Sequence, residues 1–157
     1  MVSTCGSCGV KIIADAVTNH MAAGSGTGSS GSSFGGRAYP GTFSANDFHH
    51  NSGDTSRNCV ISNYQDKFNV QHCDLVGLPD LDSGADWPQR RIGAYLGALA
   101  ELGVAGFRVD AAKHQEAHNL GLILKSNASA AGTEVYQEVI HLLAYSLTYL
   151  LTYLPTR

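Results

Sequence analysis

Three candidate strands, the first of them a short apolar run rich in β-branched residues, constrain the fold of this chain more than any other feature of its sequence. They cover residues 10–17, 104–109 and 133–140. A short, mostly apolar run such as that at 10–17 is typical of a strand buried in a parallel sheet, whereas strict alternation is typical of a strand with one face in water. Helical segments separate the runs, so the order of elements predicts parallel βα units.

The clearest helix is predicted over residues 87–102. Asp86 precedes it as a candidate N-cap, Pro88 lies in its first turn, and Gly103 follows its last residue. Its apolar face contains three residues at helical spacing, namely Ile92, Leu96 and Leu99. A second, less regular helical segment is predicted over residues 115–125.

Residues 21–85 differ from the rest of the chain in composition. They open with a Gly/Ser-rich run, which alone would be a flexible linker, and continue with polar residues between scattered aromatic residues. The aromatic residues can pack, and an unstructured loop of this length is unusual inside a compact domain. The stretch therefore predicts an irregular inserted subdomain, with His49 and His50 as polar surface residues.

The overall composition limits the class of partner. Hydrophobic residues make up 43% of the chain and charged residues 15%, which is typical of a globular protein. The net charge of −3 offers no basic patch for nucleic acid. The apolar residues near the C-terminus are too few to span a bilayer as one unbroken helix, and residues 1–10 lack a signal-peptide pattern. We expect no nucleic-acid and no membrane partner.

Polar side chains cluster at or just beyond the ends of the three predicted strands. They are Asp15, Asn19 and His20, then Arg108, Asp110 and His114, and finally Glu138. In a (β/α)8 barrel the functional residues gather at the C-terminal ends of the strands. The sequence therefore predicts a site at this edge of the sheet.

Two of these carboxylates have the spacing that glycoside hydrolysis needs. An arginine beside a carboxylate favours the ionised form that suits a nucleophile, and Arg108 precedes Asp110 by two residues. Neighbouring strands lie about 4.8 Å apart, so Asp110 and Glu138 can approach the ~5–5.5 Å of retaining glycosidases. Asp110 would attack the anomeric carbon, while Glu138 would protonate the leaving oxygen and then activate water. The alternative is a structural Arg–Asp pair and a surface glutamate.

The cysteines and two histidines allow other interpretations. Zinc would need ligands from both cysteine groups, and no second C-x2-C accompanies Cys5 and Cys8. Disulfides are favoured instead if the protein is secreted. His114 and His118 stand four residues apart, but the zinc-protease pattern requires a glutamate directly after the first histidine.

Four segments resemble motifs of animal-type, calcium-dependent α-amylases. They are DAVTNH at 15–20, LVGLPDL at 75–81, GFRVDAAKH at 106–114 and YQEVI at 136–140. Their order is the family's order, and the resemblance extends over roughly residues 1–140. It implies a retaining glycosidase that cleaves internal α-1,4-glucosidic bonds of starch or glycogen, with α-glucan as substrate and a secreted, monomeric complete form.

The resemblance also implies an α/β fold and a domain plan. Residues 1–20 and 86–140 would form part of a catalytic (β/α)8 TIM barrel, about strands 3 to 5. Residues 21–85 would form a calcium-binding subdomain inserted after strand 3, and residues 141–157 an atypical tail. The tail is either the product of a gene-model or splicing error or the end of a real isoform, packed on the sheet.

The family's functional residues match positions of this chain. Asp110 matches the nucleophile and Glu138 the acid/base, while Arg108 orients the nucleophile and binds chloride in chloride-dependent members. Substrate contacts fall on Asp15, His20, Lys113 and His114. Calcium (Ca²⁺) would be held by the side chains of Asn19 and Asp80 and by the backbone carbonyls of Gln71 and His114. The resemblance also pairs Cys59 with Cys73 and gives Cys5 a partner upstream.

Three departures from the family pattern are visible. Thr18 stands where the family usually has an apolar residue, the third catalytic carboxylate after an Asn-His motif has no counterpart, and residues 141–157 match nothing in the family. We therefore expect an incomplete piece of the enzyme, inactive as an isolated chain of 157 residues. The alternative is a truncated, non-catalytic protein that binds calcium or α-glucan. Asn127 begins a formal glycosylation sequon.

Overall fold

The computed structural model describes residues 1–54, 56–126 and 133–139, and this part of the chain contains nine helices and strands. In chain order they are α1 (Val2–Gly6), β1 (Ile13–Val17), β2 (Ser25–Thr27), β3 (Ser33–Gly35), α2 (Lys67–His72), α3 (Asp86–Glu101), β4 (Gly106–Asp110), α4 (Ala117–Ser126) and β5 (Glu134–Gln137). Short 3-10 turns cover Ala45–Asp47 and Ala112–His114.

A three-stranded parallel sheet places the ends of the main strands side by side. Its order is β1-β4-β5, and both strand pairs are parallel, as predicted. Asp15 is the register partner of Arg108, and Val109 is the partner of Gln137. Since parallel strands end at the same edge, the residues that close the three strands meet there.

The first strand differs from its prediction. It begins at Ile13 rather than at residue 10, and only Ala16 of its five residues is buried. Ile13 and Val17 are 48% and 46% exposed. The prediction of burial on both faces was wrong for this strand, because no described element packs over those two side chains.

The main core lies between the sheet, α3 and the aromatic residues of the insert. Phe107 and Ile123 are fully buried, and Leu96 is 1% exposed. The same cluster includes three aromatic side chains of the insert, namely Tyr39, Phe43 and Phe48. The insert is therefore packed against the sheet, as its aromatic residues suggested.

Helix α3 starts one residue earlier than predicted. Ala85 is the N-cap and makes no side-chain capping bond, while Asp86 lies in the first turn and pairs with Arg90 at 2.6 Å. An acidic side chain in the first turn still interacts favourably with the helix dipole. At the other end, Gly103 adopts a φ of 90° and its N–H bonds to the carbonyl of Ala100, which ends the helix as predicted.

The insert is irregular, as predicted, and is stabilised by specific contacts. Strands β2 and β3 form a small antiparallel hairpin, and the side chain of Asp66 caps α2. A disulfide joins Cys59 to Cys73, which confirms the expected pairing. Because the sulfurs of Cys59 and Cys73 are bonded to each other, they are not free to bind zinc.

The remaining elements agree with prediction in type and differ in their bounds. Strands β4 and β5 fall inside or next to the predicted runs 104–109 and 133–140, and α4 covers most of the predicted helix. Ile140, the tail at 141–157 and the sequon at Asn127 lie outside the described residues. Within the described helices, none is long and apolar enough to cross a membrane.

Candidate active site

The guanidinium of Arg108 contacts three carboxylates at the C-terminal edge of the sheet. Its Nη1 lies 2.5 Å from Asp15 Oδ1 and 2.9 Å from Asp110 Oδ1. Its Nη2 lies 2.9 Å from Glu138 Oε1. The sequence-predicted carboxylates therefore come together around one cation.

Strand geometry explains this convergence. Asp15 and Arg108 are register partners on neighbouring strands, so their side chains lie on the same face. Asp110 follows Arg108 by two positions, and residues two apart along a strand also share a face. Glu138 follows β5 directly, and its N–H bonds to the carbonyl of Val109 at 2.9 Å. The backbone of the sheet thus brings the four charged groups to one place.

Glu138 is held in its ionised form. The backbone N–H of Ala111 donates to Glu138 Oε2 at 3.1 Å, and this bond is the largest cause that lowers the pKa of Glu138, followed among the lowering causes by the charge of Arg108. Ala111 has a left-handed φ of 50°, which is uncommon for a residue other than glycine. The hydrogen bonds that Arg108 donates to Asp15 and Asp110 raise the pKa of Arg108. Both partners therefore stay charged near neutral pH.

His20 and His114 border this cluster. Burial is the largest cause that lowers the pKa of each histidine, and the charge of Asp110 acts in the opposite direction on both. The charge of His114 also lowers the pKa of His20. Both imidazoles are therefore near Asp110 and favour the neutral form.

Tyr64, an aromatic residue of the insert, lies next to His114 and Lys113. It was not predicted as a site residue. The ring of Tyr64 contacts the ring of His114 edge-on with centroids 6.4 Å apart, and Lys113 Nζ lies 5.6 Å from the Tyr64 centroid. Tyr64 is 46% exposed. The sequence marked it only as an aromatic residue able to pack, because its distance from the strand ends along the chain concealed this contact.

Two of the four predicted metal ligands are buried together. Asn19 and Asp80 are each 1% exposed, and the backbone N–H of Leu81, the residue after Asp80, bonds to the carbonyl of Asn19 at 2.9 Å. Burial raises the pKa of Asp80 to about 6. His49 Nδ1 lies 2.6 Å from Asp80 Oδ2, so the prediction of His49 as a surface residue was wrong. A buried carboxylate beside an amide oxygen suits a hard cation.

The other two predicted ligands, Gln71 and His114, belong to segments that contact each other. His114 Nδ1 lies 3.1 Å from the carbonyl of Val70, and Gln71 Nε2 donates to the carbonyl of Gln115 at 2.8 Å. Within the described ranges, no group of three or more His, Cys, Asp or Glu side chains could hold a metal ion. A cation here would depend on backbone carbonyls as well as side chains, which is a donor set that calcium accepts.

Comparison with known proteins gives relatives named α-amylase or α-amylase-related protein. No family model matches the chain. An α-amylase of Streptomyces violaceus is 50% identical over 141 residues, which cover 90% of this chain and 24% of the relative. An α-amylase of Tribolium castaneum is 44% identical over 129 residues, which cover 80% of this chain and 25% of the relative.

Solved structures agree with these relatives. The α-amylase I of Eisenia fetida, solved in a complex with maltohexaose, matches with a TM-score of 0.79 and 38% identity, over 91% of this chain and 31% of that one. The described parallel sheet is therefore part of the (β/α)8 barrel of such proteins. The chain spans about a quarter of the length of the first relatives, and over that stretch it belongs to the α-amylase family.

Proposed function

We propose that this chain is a segment of a retaining glycosidase that cleaves internal α-1,4-glucosidic bonds in starch or glycogen. The observation that supports this most is the contact of Arg108 with both Asp110 and Glu138. One cation holds the two carboxylates at the same edge of the sheet, where barrel enzymes carry their active sites. Residues 1–20 and 86–140 would supply the barrel portion and residues 21–85 the insert.

Asp110 is the nucleophile in this proposal. Arg108 orients its carboxylate at 2.9 Å and stabilises its negative charge. Attack of the carboxylate on the anomeric carbon breaks the glycosidic bond and forms a covalent glycosyl ester. Glu138 gives its proton to the leaving oxygen in this step, then takes a proton from the water that cleaves the ester.

The contacts of Glu138 oppose its proposed role as the general acid. A general acid needs a raised pKa, whereas Ala111 and Arg108 lower the pKa of Glu138. We propose that a third carboxylate raises the pKa of Glu138, and that it comes from a part of the complete enzyme that these 157 residues do not match. This requirement supports the proposal that the chain of 157 residues is inactive in isolation.

The substrate would lie beside the residues that border the cluster. Asp15, His20, Lys113 and His114 can form hydrogen bonds with sugar hydroxyls. The exposed ring of Tyr64 next to Lys113 offers an apolar surface for a sugar ring. The partner in this proposal is therefore an α-glucan chain.

Calcium is the proposed cofactor, held by Asn19, Asp80 and the carbonyls of Gln71 and His114. A bound cation would stabilise the ionised form of Asp80 and join the insert to the barrel portion. Chloride at Arg108 is less favoured, because an anion there would meet three carboxylates. Secretion is supported by the Cys59–Cys73 disulfide, since disulfides persist in oxidising compartments. The complete enzyme is proposed to be a monomer.

A second candidate is a non-catalytic protein that binds calcium or α-glucan. It is favoured by the lowered pKa of Glu138, which leaves the general-acid role without a protonated group. Both candidates use the same local residues, so a test of turnover separates them.

The test places residues 1–139 in the Streptomyces violaceus enzyme, in exchange for the matching segment. The catalytic proposal expects starch cleavage by the exchanged enzyme and its loss, by at least about a thousandfold, in Asp110→Asn and Glu138→Gln. Glu134→Gln changes an exposed glutamate on β5 and is the control that should keep activity. Near-normal rates in either site variant would refute the assigned roles, and calcium-dependent starch cleavage by the isolated chain would refute its proposed inactivity.

A further inference from the structure

A buried polar contact joins two segments of the site that are far apart in the sequence. Gln115 Nε2 donates to Thr18 Oγ1 at 2.9 Å, and Thr18 Oγ1 lies 3.3 Å from Gln115 Oε1. The two residues are 3% and 2% exposed. Neither was predicted as a site residue.

The contact lies between the end of β1 and the turn after β4. Thr18 directly precedes Asn19 and His20, and Gln115 directly follows His114. The carbonyl of Gln115 also accepts a bond from Gln71 Nε2 of α2 at 2.8 Å. Three segments of the chain therefore meet at Gln115.

Burial makes this contact directional. A buried hydroxyl or amide without a hydrogen bond is costly, so each side chain restricts the position of the other. An apolar pair of the same size would fill the space without fixing one relative orientation. The polar pair therefore constrains the spacing between β1 and the turn at Ala112–His114.

We infer that Thr18 and Gln115 are positioning residues, whose hydrogen bond sets the place of Asn19 and His20 relative to Lys113 and His114. The inference rests on the proposed function only for the roles of those four residues. The hydrogen bond itself acts whether or not a metal is present.

Amide hydrogen exchange on the metal-free chain of 157 residues tests this inference. The double variant Thr18→Val/Gln115→Met removes both polar groups, so neither is left buried and unpaired. Suitable reporters are the amides of Leu81, which bonds to the Asn19 carbonyl, and of His114, which bonds to the Ala111 carbonyl. We expect about tenfold faster exchange at both, equivalent to ~1.4 kcal/mol, with unchanged exchange in the interior of α3.

Two further variants separate positioning from general packing. Thr18→Ser keeps the hydroxyl, so its two reporter amides should exchange at the rates of the natural chain. Gln89 lies on α3, and its Nε2 donates to the carbonyl of Ser83 at 2.8 Å. Gln89→Met removes this bond and should leave the exchange rates of both reporter amides unchanged.

Unchanged reporters in the double variant would overturn the inference, and so would equal acceleration in α3 or fast exchange in Thr18→Ser. Calcium titration of the natural chain tests the proposed cofactor separately. If calcium does not bind but the exchange pattern is as expected, the calcium proposal fails and the inference stands.

Discussion

Arg108 Nη2 and Glu138 Oε1 lie 2.9 Å apart, although Arg108 is on the central strand and Glu138 follows the neighbouring strand β5. This pair makes the charge state of Glu138 depend on the folded sheet. The N–H of Ala111 reinforces the effect by donating to the other carboxylate oxygen.

Glu138 should make stability depend on pH in the acid range. Its pKa is lowered from 4.5 in the folded chain, so its ionised form stabilises the fold above pH 4.5. This contribution is lost as the pH falls through the lower, folded-state pKa. We expect Glu138→Gln to unfold at lower urea concentration than the natural chain at pH 7, with the gap narrowing below pH 4.5. A gap that widens in acid would contradict the assignment.

Calcium should stabilise the chain through Asp80. A ligand that binds only the folded state, at a concentration about 100 times its Kd, adds ~2.7 kcal/mol to the free energy of unfolding. We expect calcium to raise the thermal midpoint of the natural chain and to have little effect on Asp80→Asn. Asp86→Asn, which changes an exposed carboxylate on α3, should respond as the natural chain does. An equal calcium response in Asp80→Asn would exclude Asp80 as a ligand.

The Cys59–Cys73 disulfide should be a major source of stability in the insert. It closes a loop with a sequence separation of 14, and loops of this size are stabilised by ~3 kcal/mol in the chain-entropy estimate. We expect the double variant Cys59→Ser/Cys73→Ser to lose about this free energy of unfolding in urea. Cys8→Ser, at an exposed free thiol, should change it by less than ~0.5 kcal/mol. Equal effects of the two changes would contradict a stabilising role of the disulfide.

Leu96 should be one of the residues on which the packing of α3 depends. It is 1% exposed and belongs to the core shared by the sheet and the insert. Leu96→Ala should cost ~2–5 kcal/mol, because it removes buried methyl groups and leaves a cavity. Leu102→Ala, at a side chain that is 69% exposed just beyond the helix, is the matched control. Urea unfolding of both variants measures the difference, and a loss below ~1 kcal/mol in Leu96→Ala would contradict the prediction.

The types of the main elements and the Arg108–Asp110 ion pair can be predicted from sequence pattern alone. Apolar strand segments that alternate with helical spacing predict a parallel sheet, because these patterns follow from the local geometry of strands and helices. The pairing of Arg108 with Asp110 also follows locally, since residues two apart on a strand share a face. The motif order was sufficient to indicate the family and the Cys59–Cys73 pairing.

Which distant groups meet, and which strand faces stay exposed, depends on how the elements pack in the folded chain. The contacts of Arg108 with Asp15 and Glu138 depend on strand order and register, which no single segment encodes. Tyr64 beside Lys113, His49 against Asp80 and Gln115 on Thr18 all join segments that are remote in the chain. The burial of apolar side chains also depends on the packing of distant segments. The apolar run of β1 predicts a covered strand, yet Ile13 and Val17 stay exposed, because burial depends on which elements pack nearby and not on the side chain alone.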